Sequence, residues 1–255
     1  MTVGQITVRD VSKRFRLERN RPSSLKEALL RARRRRDVDD FWVLRGIDFD
    51  IEPGSFFGLI GHNGSGKSTL LRLMANIHRP TMGEISTEGR MSALLELGSG
   101  FHPDLTGREN VYLNGAMLGL SRRHMHEAMD EIIEFSGIGE FIDEPVKIYS
   151  SGMYVRLGFA VSVNVDPEIL LVDEVIAVGD EEFQLRCMDH MNQLRDKGCT
   201  IVLVSHNAAL MESLCDTVAW LDHGRVLEIG EPTPVLRKYL DHMRGGGDTT
   251  LTTRD

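Results

Sequence analysis

The nine residues at 61–69 are Gly61-His62-Asn63-Gly64-Ser65-Gly66-Lys67-Ser68-Thr69, which match the pattern G-x-x-x-x-G-K-S/T. Glycines let a backbone curl until successive N–H groups face one centre, and the helix predicted over 66–76 adds its positive end there. Lys67 would then reach the β- and γ-phosphates of a nucleotide, and the Ser68 hydroxyl would ligate Mg²⁺. An ordinary glycine-rich turn is the alternative, but the apolar strand before the loop and the helix after it favour a nucleotide site.

A second apolar run, ILLV at 169–172, ends in Asp173 and Glu174. Its length and flanks predict a fully buried parallel strand, and ligands of open α/β sheets bind beyond the carboxyl ends of such strands. Asp173 is placed to hold Mg²⁺, directly or through water, and Glu174 to polarise the attacking water as a general base. An acidic strand-end cap explains one carboxylate, but it explains the pair less well.

The run TIVLV at 200–204 predicts a neighbouring buried strand, and a helix predicted over 181–197 joins the two strands as a βαβ unit. His206 follows the second strand. A lone histidine at a sheet edge is usually structural, but beside these motifs a γ-phosphate sensor is the better interpretation. The other predicted elements are strands at 3–9, 43–51, 55–61, 83–89 and 90–97, helices between 106 and 141, and a helix from 150 or 151 to 165.

Composition sets limits on the class of protein. The chain has 255 residues, 41% of them hydrophobic, enough for one large or two small domains. No apolar run reaches about 18 residues, and the N-terminus MTVGQITVRD does not resemble a secretory signal. Three scattered cysteines fit reduced thiols better than disulfides or a zinc site, so the expected location is cytoplasmic.

Charge is spread unevenly along the chain. Residues 13–36 hold eleven Lys/Arg and two Glu, a net +9, which leaves −17 for the rest of a chain whose total is −8. An acidic body of this kind argues against nucleic acid as the partner. The segment SLKEALLRARRRR at 24–36 predicts a short amphipathic helix with a Ser24–Glu27 capping box. Attraction to inner-leaflet anionic lipid or to a lipid-pyrophosphate headgroup explains its arginines; a solvated face, an acidic protein partner and nucleic acid are the alternatives.

These motifs, in this order, resemble the ATPase domain of ABC transporters over roughly residues 3–243. The distinguishing piece is YSSGMYVR at 149–156, which takes the place of the family's LSGGQ signature. The resemblance implies an α/β fold: a P-loop NTPase (RecA-like) core with an antiparallel β subdomain and an ABC-type helical subdomain. It implies an ATPase domain at 1–243, with the helical subdomain at about 100–163 and a basic insert at about 16–40, followed by a flexible tail at 244–255.

The resemblance also assigns roles to residues. The chain would hydrolyse ATP with Mg²⁺ as one of two copies that clamp two nucleotides head to tail. The serine-rich signature segment of one copy would complete the ATP site of the other from a helix N-terminus. Under this assignment the signature residues are Ser150, Ser151 and Gly152, the D-loop aspartate is Asp180, and the switch histidine is His206.

Several positions depart from the family pattern. Ser151 replaces the first glycine of the LSGGQ signature, and Met153 replaces its glutamine. The Q-loop glutamine has no obvious counterpart: Glu96 is nearest, and its carboxylate would reach Mg²⁺ or water. Phe15 aligns best with the aromatic residue that stacks on adenine, with Phe41 and Trp42 as alternatives and ordinary core packing as a further one.

Longer segments point to a subfamily. LLELGSGFHPDLTGREN, FWVLRGIDF and DEVIAVGDEEFQLRC look very like the ATPase subunits that export lipid-linked polysaccharides such as O-antigen, capsular polymer, teichoic acid or galactan. The resemblance implies a transmembrane permease partner, contacted near 101–110, and a peripheral position on the cytoplasmic face of the membrane. A drug or lipid cargo is the alternative. Several such ATPases carry a C-terminal carbohydrate-binding domain; the short polar tail here leads us to expect that other proteins recognise the polymer.

Other nucleotide-binding classes fit less well. Non-transport ABC ATPases need a long coiled coil or two tandem ATPase domains, whereas this chain has one phosphate loop and no sustained heptad run. GTPases need a guanine-reading N-K-x-D sequence, which is not found here. A small-molecule kinase would leave the signature segment unexplained.

Overall fold

The computed structural model describes residues 2–18, 38–95, 100–173 and 180–245. Two sheets and a group of helices make up this part of the chain. In chain order the elements are β1 (Ile6–Glu18), β2 (Val38–Ile51), β3 (Phe56–Ile60), α1 (Lys67–Met74), β4 (Met82–Thr87), β5 (Met91–Leu94), α2 (Gly107–Met117), α3 (Arg122–Glu127), α4 (Met129–Ser136), two 3₁₀ turns (Gly139–Asp143 and Val146–Ile148), α5 (Ser151–Val163), β6 (Ile169–Asp173), α6 (Glu181–Asp196), β7 (Thr200–Val204), α7 (Ala208–Leu214), β8 (Thr217–Asp222), β9 (Arg225–Gly230) and α8 (Pro232–Gly245).

The larger sheet has the order β5-β6-β7-β3-β8-β9, parallel except for β9, which pairs antiparallel with β8. Its central strands are almost entirely apolar because both faces are covered. Phe56, Leu170 and Ile201 pack in the same core cluster as residues of α5, α6, α7 and α8. Their neighbours along each strand pack in a second cluster with α1 and the smaller sheet. This layering confirms the predicted α/β class.

The smaller sheet is antiparallel, with the order β2-β1-β4. The ladder with β4 ends at Ser12, whereas β1 and β2 stay paired until Glu18 meets Val38. The predicted strand bounds were therefore wrong: β1 extends past 9, and β2 begins at 38 rather than 43. Residues 16–18 and 38–40, at the two ends of the predicted basic insert, belong to these strands. Cross-strand pairing with β2 explains the difference, because Lys13, Arg14 and Arg16 leave this part of β1 with little apolar sequence to indicate a strand. The helix predicted at 24–36 lies outside the described residues.

A helical unit occupies 107–163, within the range expected for the helical subdomain. A capping box between Thr106 and Glu109 starts α2. The unit has a core of its own, which includes Val111, Ile132 and Leu157. Because α5 also contributes Phe159 to the core of the parallel sheet, it joins the two parts.

No helices or strands were predicted between residues 208 and 240. The structure has two helices and the β8–β9 hairpin there, and the hairpin lengthens the large sheet. The last helix, α8, runs to Gly245, two residues into the predicted tail. The remainder of that tail lies outside the described residues.

Candidate nucleotide site

The loop between β3 and α1 packs closely against strand β8. A Cβ atom on Gly61 would lie 2.1 Å from the carbonyl oxygen of Leu221, so the position admits only glycine. Gly66, at the N-cap of α1, has a φ of +110°, which glycine adopts without steric cost. Because α1 begins at Lys67, the positive end of its dipole lies at the loop.

Lys67 lies inside this loop and is only 6% exposed. Its Nζ donates hydrogen bonds to the carbonyl oxygens of Gly61 (2.8 Å) and His62 (3.1 Å). Phosphate oxygens are stronger acceptors for an ammonium group than neutral carbonyls are. A nucleotide phosphate entering the loop would therefore compete favourably for this lysine.

Ser65 supports the same interpretation. The residue is fully buried, and its Oγ has no hydrogen-bond partner among the residues that the structure describes. A buried hydroxyl without a partner is unfavourable, and a phosphate oxygen would satisfy it. The loop residues thus fit the triphosphate that the sequence predicts for them.

Two further predicted residues, Asp173 and His206, lie at the ends of neighbouring strands at one edge of the sheet. Val204 of β7 is paired with Asp173 on one side and with Leu59 of β3 on the other. The carboxyl end of β6, the start of the phosphate loop and the segment that holds Ser205 and His206 therefore meet at this edge. Asp173 is half-buried there, and His206 is exposed.

Two predicted residues lie outside the described parts of the chain. Glu174 directly follows β6, and Glu96 comes shortly after β5, which pairs in parallel with β6. Their roles as general base and Mg²⁺ ligand stay predictions.

The predicted signature segment begins α5. Ser150 is the N-cap, and its Oγ accepts a hydrogen bond from the Met153 N–H at 3.2 Å. Before it, the Tyr149 hydroxyl donates to the carbonyl oxygen of Phe141 at 2.5 Å. Burial, together with nearby Asp143, raises the pKa of Tyr149 to about 12, so it remains a neutral donor. Ser150 and Ser151 are exposed, and the start of α5 is therefore open to another molecule.

The ABC transporter family model matches residues 44–177, which include the phosphate loop, the signature segment and the strand that ends at Asp173. The chain belongs to the ABC transporter family.

Three relatives of the chain are named as ATP-binding proteins of export systems. The chain is 49% identical over 240 residues to the O-antigen export system ATP-binding protein RfbB of Myxococcus xanthus, covering 92% of this chain and 55% of that protein. It is 43% identical to the RfbB protein of Klebsiella pneumoniae, covering 93% of this chain and 98% of that one. It is 41% identical to the teichoic acids export ATP-binding protein TagH of Listeria innocua, covering 94% of this chain and 71% of that protein.

Solved structures of the family share the fold. The ATP-binding subunit of an ABC transporter superimposes with a TM-score of 0.75 at 21% identity, covering 94% of this chain and 98% of that one. The dimeric cassette MJ0796, bound to ADP and Pi, gives a TM-score of 0.71 at 19% identity, covering 89% and 98%.

In this ABC family chain, Asp180 makes contacts within its own subunit. Its Oδ1 caps α6 by accepting from the Phe183 N–H at 3.0 Å, and its Oδ2 accepts from Arg156 of α5 at 2.5 Å. The Phe183 N–H, and then Arg156, hold the pKa of Asp180 below its usual value. The predicted D-loop residue thus links the signature helix to the helix after β6.

Phe15 is half-buried in β1 rather than freely exposed. Its ring packs edge-on against His78, with centroids 5.9 Å apart, and Lys13 Nζ lies 5.0 Å from its centroid. Across the ladder it pairs with Phe41, which is 57% exposed. Trp42, the other alternative, packs under Arg14 at 5.4 Å. The adenine-stacking role of Phe15 stays a prediction.

The β8–β9 turn, which was not predicted, contacts the phosphate loop beside β3. Gly224 N–H donates to the Ser65 carbonyl oxygen at 2.9 Å, and the Gly224 carbonyl accepts from Arg45 at 2.8 Å. Asp222 lies 3.0 Å from His62 Nε2. The D-x-G sequence between two apolar runs indicates such a turn, but its contact with a loop more than 150 positions earlier has no local signal.

Within the part of the chain that the structure describes, each helix falls short of the length and apolarity needed to cross a bilayer.

Proposed function

We propose that this chain is the ATP-binding and ATP-hydrolysing subunit of a system that exports lipid-linked polysaccharide through a separate transmembrane subunit. The observation that carries the proposal is the shared sheet edge of the phosphate loop, Asp173 and His206, in a chain that also has an exposed signature segment. The polysaccharide cargo rests on three relatives that are 41–49% identical and are named as O-antigen or teichoic acid exporters.

The residues at this edge divide the chemistry among them. Loop N–H groups and Lys67 hold the phosphates and neutralise charge as it develops. Ser68 and Asp173 would hold Mg²⁺, with Glu96 as a further predicted ligand, and the ion would supply charge neutralisation at the phosphate oxygens. Glu174 would orient and deprotonate the attacking water, while His206 would contact the γ-phosphate.

Catalysis would need a second copy of the chain. Ser150 and the following residues present donors at the exposed start of α5, and Gly152 has room for a side chain within its own subunit. That space fits the approach of a partner's nucleotide to the backbone. The dimeric structure of MJ0796 supports a pair of this kind.

The membrane partner would dock near 101–110. Asn110 is fully buried and pins this loop: its Nδ2 donates to the carbonyl oxygens of His102, Leu105 and Thr106, and its Oδ1 accepts from the His102 N–H. The loop is therefore rigid enough to transmit motion. Exposed Met117 and Leu118, at the end of α2, add apolar surface. The chain would thus lie on the cytoplasmic face of the membrane.

One experiment tests the ATPase role and the cargo together. In the source organism, depletion of the chain should leave the lipid-linked polymer on the inner side of the membrane. The parent gene should restore surface polymer, whereas Glu174→Gln should not, because loss of a general base slows hydrolysis about 100-fold or more. Surface polymer at the parental level in the depleted strain would exclude the proposed cargo, and parental turnover of purified Glu174→Gln would exclude Glu174 as the base.

We further propose that the basic segment at 24–36 binds anionic headgroups. The β1–β2 ladder supports the proposal, because it extends beyond β4 as a two-stranded ribbon that leads to this segment. Each arginine near an anionic surface contributes about 1 kcal/mol before screening. Replacing residues 33–36 by alanine should reduce sedimentation with phosphatidylglycerol vesicles and leave ATPase activity unchanged. Arg122 and Arg123, exposed on α3, give a matched control pair; equal loss of vesicle binding in both variants would contradict the proposal.

A further inference from the structure

Three side chains that can ligate metal lie close together beside the phosphate loop. They are His62 from the loop and Asp222 and His223 from the β8–β9 turn, and their ligand atoms lie within 4.8 Å of one another. His62 Nε2 is 3.0 Å and His223 Nε2 is 4.0 Å from Asp222 Oδ1, and the two imidazole centroids are 4.8 Å apart.

The contacts of His62 determine which of its nitrogens is available. Nδ1 lies 2.7 Å from the carbonyl oxygen of Asn63, which can only accept, so Nδ1 carries the hydrogen. In the neutral ring Nε2 then has the free lone pair. Nε2 is buried and, although close to Asp222, has no partner in hydrogen-bond geometry within the described residues. A histidine that donates one ring N–H to a backbone carbonyl and offers the other nitrogen is oriented as metal-binding histidines are.

The turn fixes the backbone that carries the other two ligands. His223 has a φ of +44° and Gly224 a φ of +76°, the left-handed pair of a two-residue hairpin turn. Asparagine is the usual residue at the first of these positions, so histidine is not the choice that turn geometry favours. The hydrogen bond from the Gly224 N–H to Ser65 fixes the turn against the loop, and the bond that Gly224 accepts from Arg45 fixes it against β2.

We propose that His62, Asp222 and His223 form a site for a divalent transition metal such as Zn²⁺. Two imidazole nitrogens and one carboxylate oxygen are a common ligand set for such ions, which prefer tetrahedral geometry with about 2.0 Å bonds. The ligand atoms of such a tetrahedral site are then about 3.3 Å apart. This value lies between the 3.0 Å and 4.0 Å that separate Asp222 Oδ1 from the Nε2 atoms of His62 and His223. The His223 side chain is 82% exposed and free to rotate inward, and water completes the fourth position.

The site lies at the same sheet edge as the phosphate loop, on the β8 side of β3 and away from Asp173, and it includes one residue of that loop. A bound ion would tie His62 to the β8–β9 turn, beside the turn's existing contact with Ser65. Metal occupancy would therefore restrict movement of the loop that receives the nucleotide. The inference goes beyond the proposed export function and does not depend on the cargo.

Zn²⁺ alone, titrated into the untagged, nucleotide-free full chain, tests the site. We expect one Zn²⁺ per chain, with affinity at least about tenfold weaker in Asp222→Asn and in His223→Asn. Asparagine suits the positive φ of the turn, so His223→Asn retains the fold. His126→Asn, on the exposed surface of α3, is the matched control and should bind as the parent does.

Co²⁺ adds a readout of the ligands themselves. Visible bands typical of tetrahedral Co²⁺ should develop in the parent and weaken in both site variants. Equal Zn²⁺ affinity in the parent and both variants would show that the ion binds elsewhere, and no binding by the parent would show that these side chains do not form a metal site. Either result would overturn the proposal.

Discussion

Gly61 shows how one residue couples the fold to the site. A Cβ atom on this residue would lie 2.1 Å from the carbonyl oxygen of Leu221. A backbone carbonyl cannot move aside as a side chain can. We expect Gly61→Ala to cost about 1–3 kcal/mol in the free energy of unfolding. ATP affinity should fall about tenfold or more, because the loop must shift. Urea denaturation and titration with a fluorescent ATP analogue measure the two effects.

Gly64 is the matched control in the same loop. Its φ is +84°, but a Cβ there would meet nothing within 4 Å. Gly64→Ala should therefore lower the free energy of unfolding only by the cost of the left-handed backbone, about 1 kcal/mol. Equal damage from both substitutions would show that the contact with Leu221 does not set the shape of the loop.

Residues of the candidate site differ in how far the sequence could predict them. The phosphate loop and Asp173 are recognisable because adjacent residues encode them, and the structure places them at one sheet edge. The contact between His62 and Asp222 was missed because it joins residues 160 positions apart, through packing of β3 beside β8. Only the parallel register of those strands brings them together.

Helices α5 and α6 are connected through the Asp180–Arg156 pair. Asp180→Asn should retain the helix cap but lose the charge interaction, whereas Asp180→Ala should lose both. We expect Tm to decrease slightly in the first variant and by a few degrees in the second. Thermal melting followed by circular dichroism measures both. Identical Tm values for the two variants would mean that the cap contributes nothing.

The pH dependence follows from the same pair. The pKa of Asp180 is lowered in the folded chain, so its stabilising effect is full above the unfolded value, near 4, and is lost as pH falls through the lower folded value. The difference in Tm between the parent and Asp180→Asn should therefore shrink with acidification in that range. High salt should shrink it too, because the pair is exposed. A difference that is constant from pH 7 to pH 3 would contradict the assignment.

Whole elements were predictable where hydrophobic pattern alone determines them. The apolar runs at 169–172 and 200–204 became β6 and β7, because strands buried on both faces need continuous apolar sequence. The outer half of β1 was missed because Lys13, Arg14 and Arg16 give it little apolar sequence, and cross-strand pairing with β2 rather than burial stabilises the strand there. After 208, Val235, Leu236, Tyr239 and Leu240 of α8 recur at helical spacing and β8 is a mostly apolar run, so both elements were predictable although neither was assigned.

At the scale of the whole molecule, the predicted site is divided between two surfaces of one chain. The phosphate loop follows β3 in the large sheet, while Ser150 begins α5 in the helical unit. A Cβ on Gly152 would meet only Ser150 Oγ, at 3.8 Å, which is an ordinary contact. The subunit's own packing therefore does not require glycine at 152, and a requirement for it must come from another molecule.

Gly152→Ala distinguishes the properties of the isolated chain, stability and ATP binding, from those of the dimer, turnover and ATP-dependent association. Alanine is favoured over glycine in a helix by up to about 1 kcal/mol, so the variant should unfold at the parental Tm or slightly above it. ATP should bind to the isolated chain with parental affinity. Turnover should fall about tenfold or more, because the added methyl group would stand between the partner's triphosphate and the α5 backbone. In a Glu174→Gln background, light scattering should show less ATP-dependent dimer once Gly152→Ala is added. Parental turnover together with an undiminished dimer would mean that the start of α5 does not approach the partner's nucleotide.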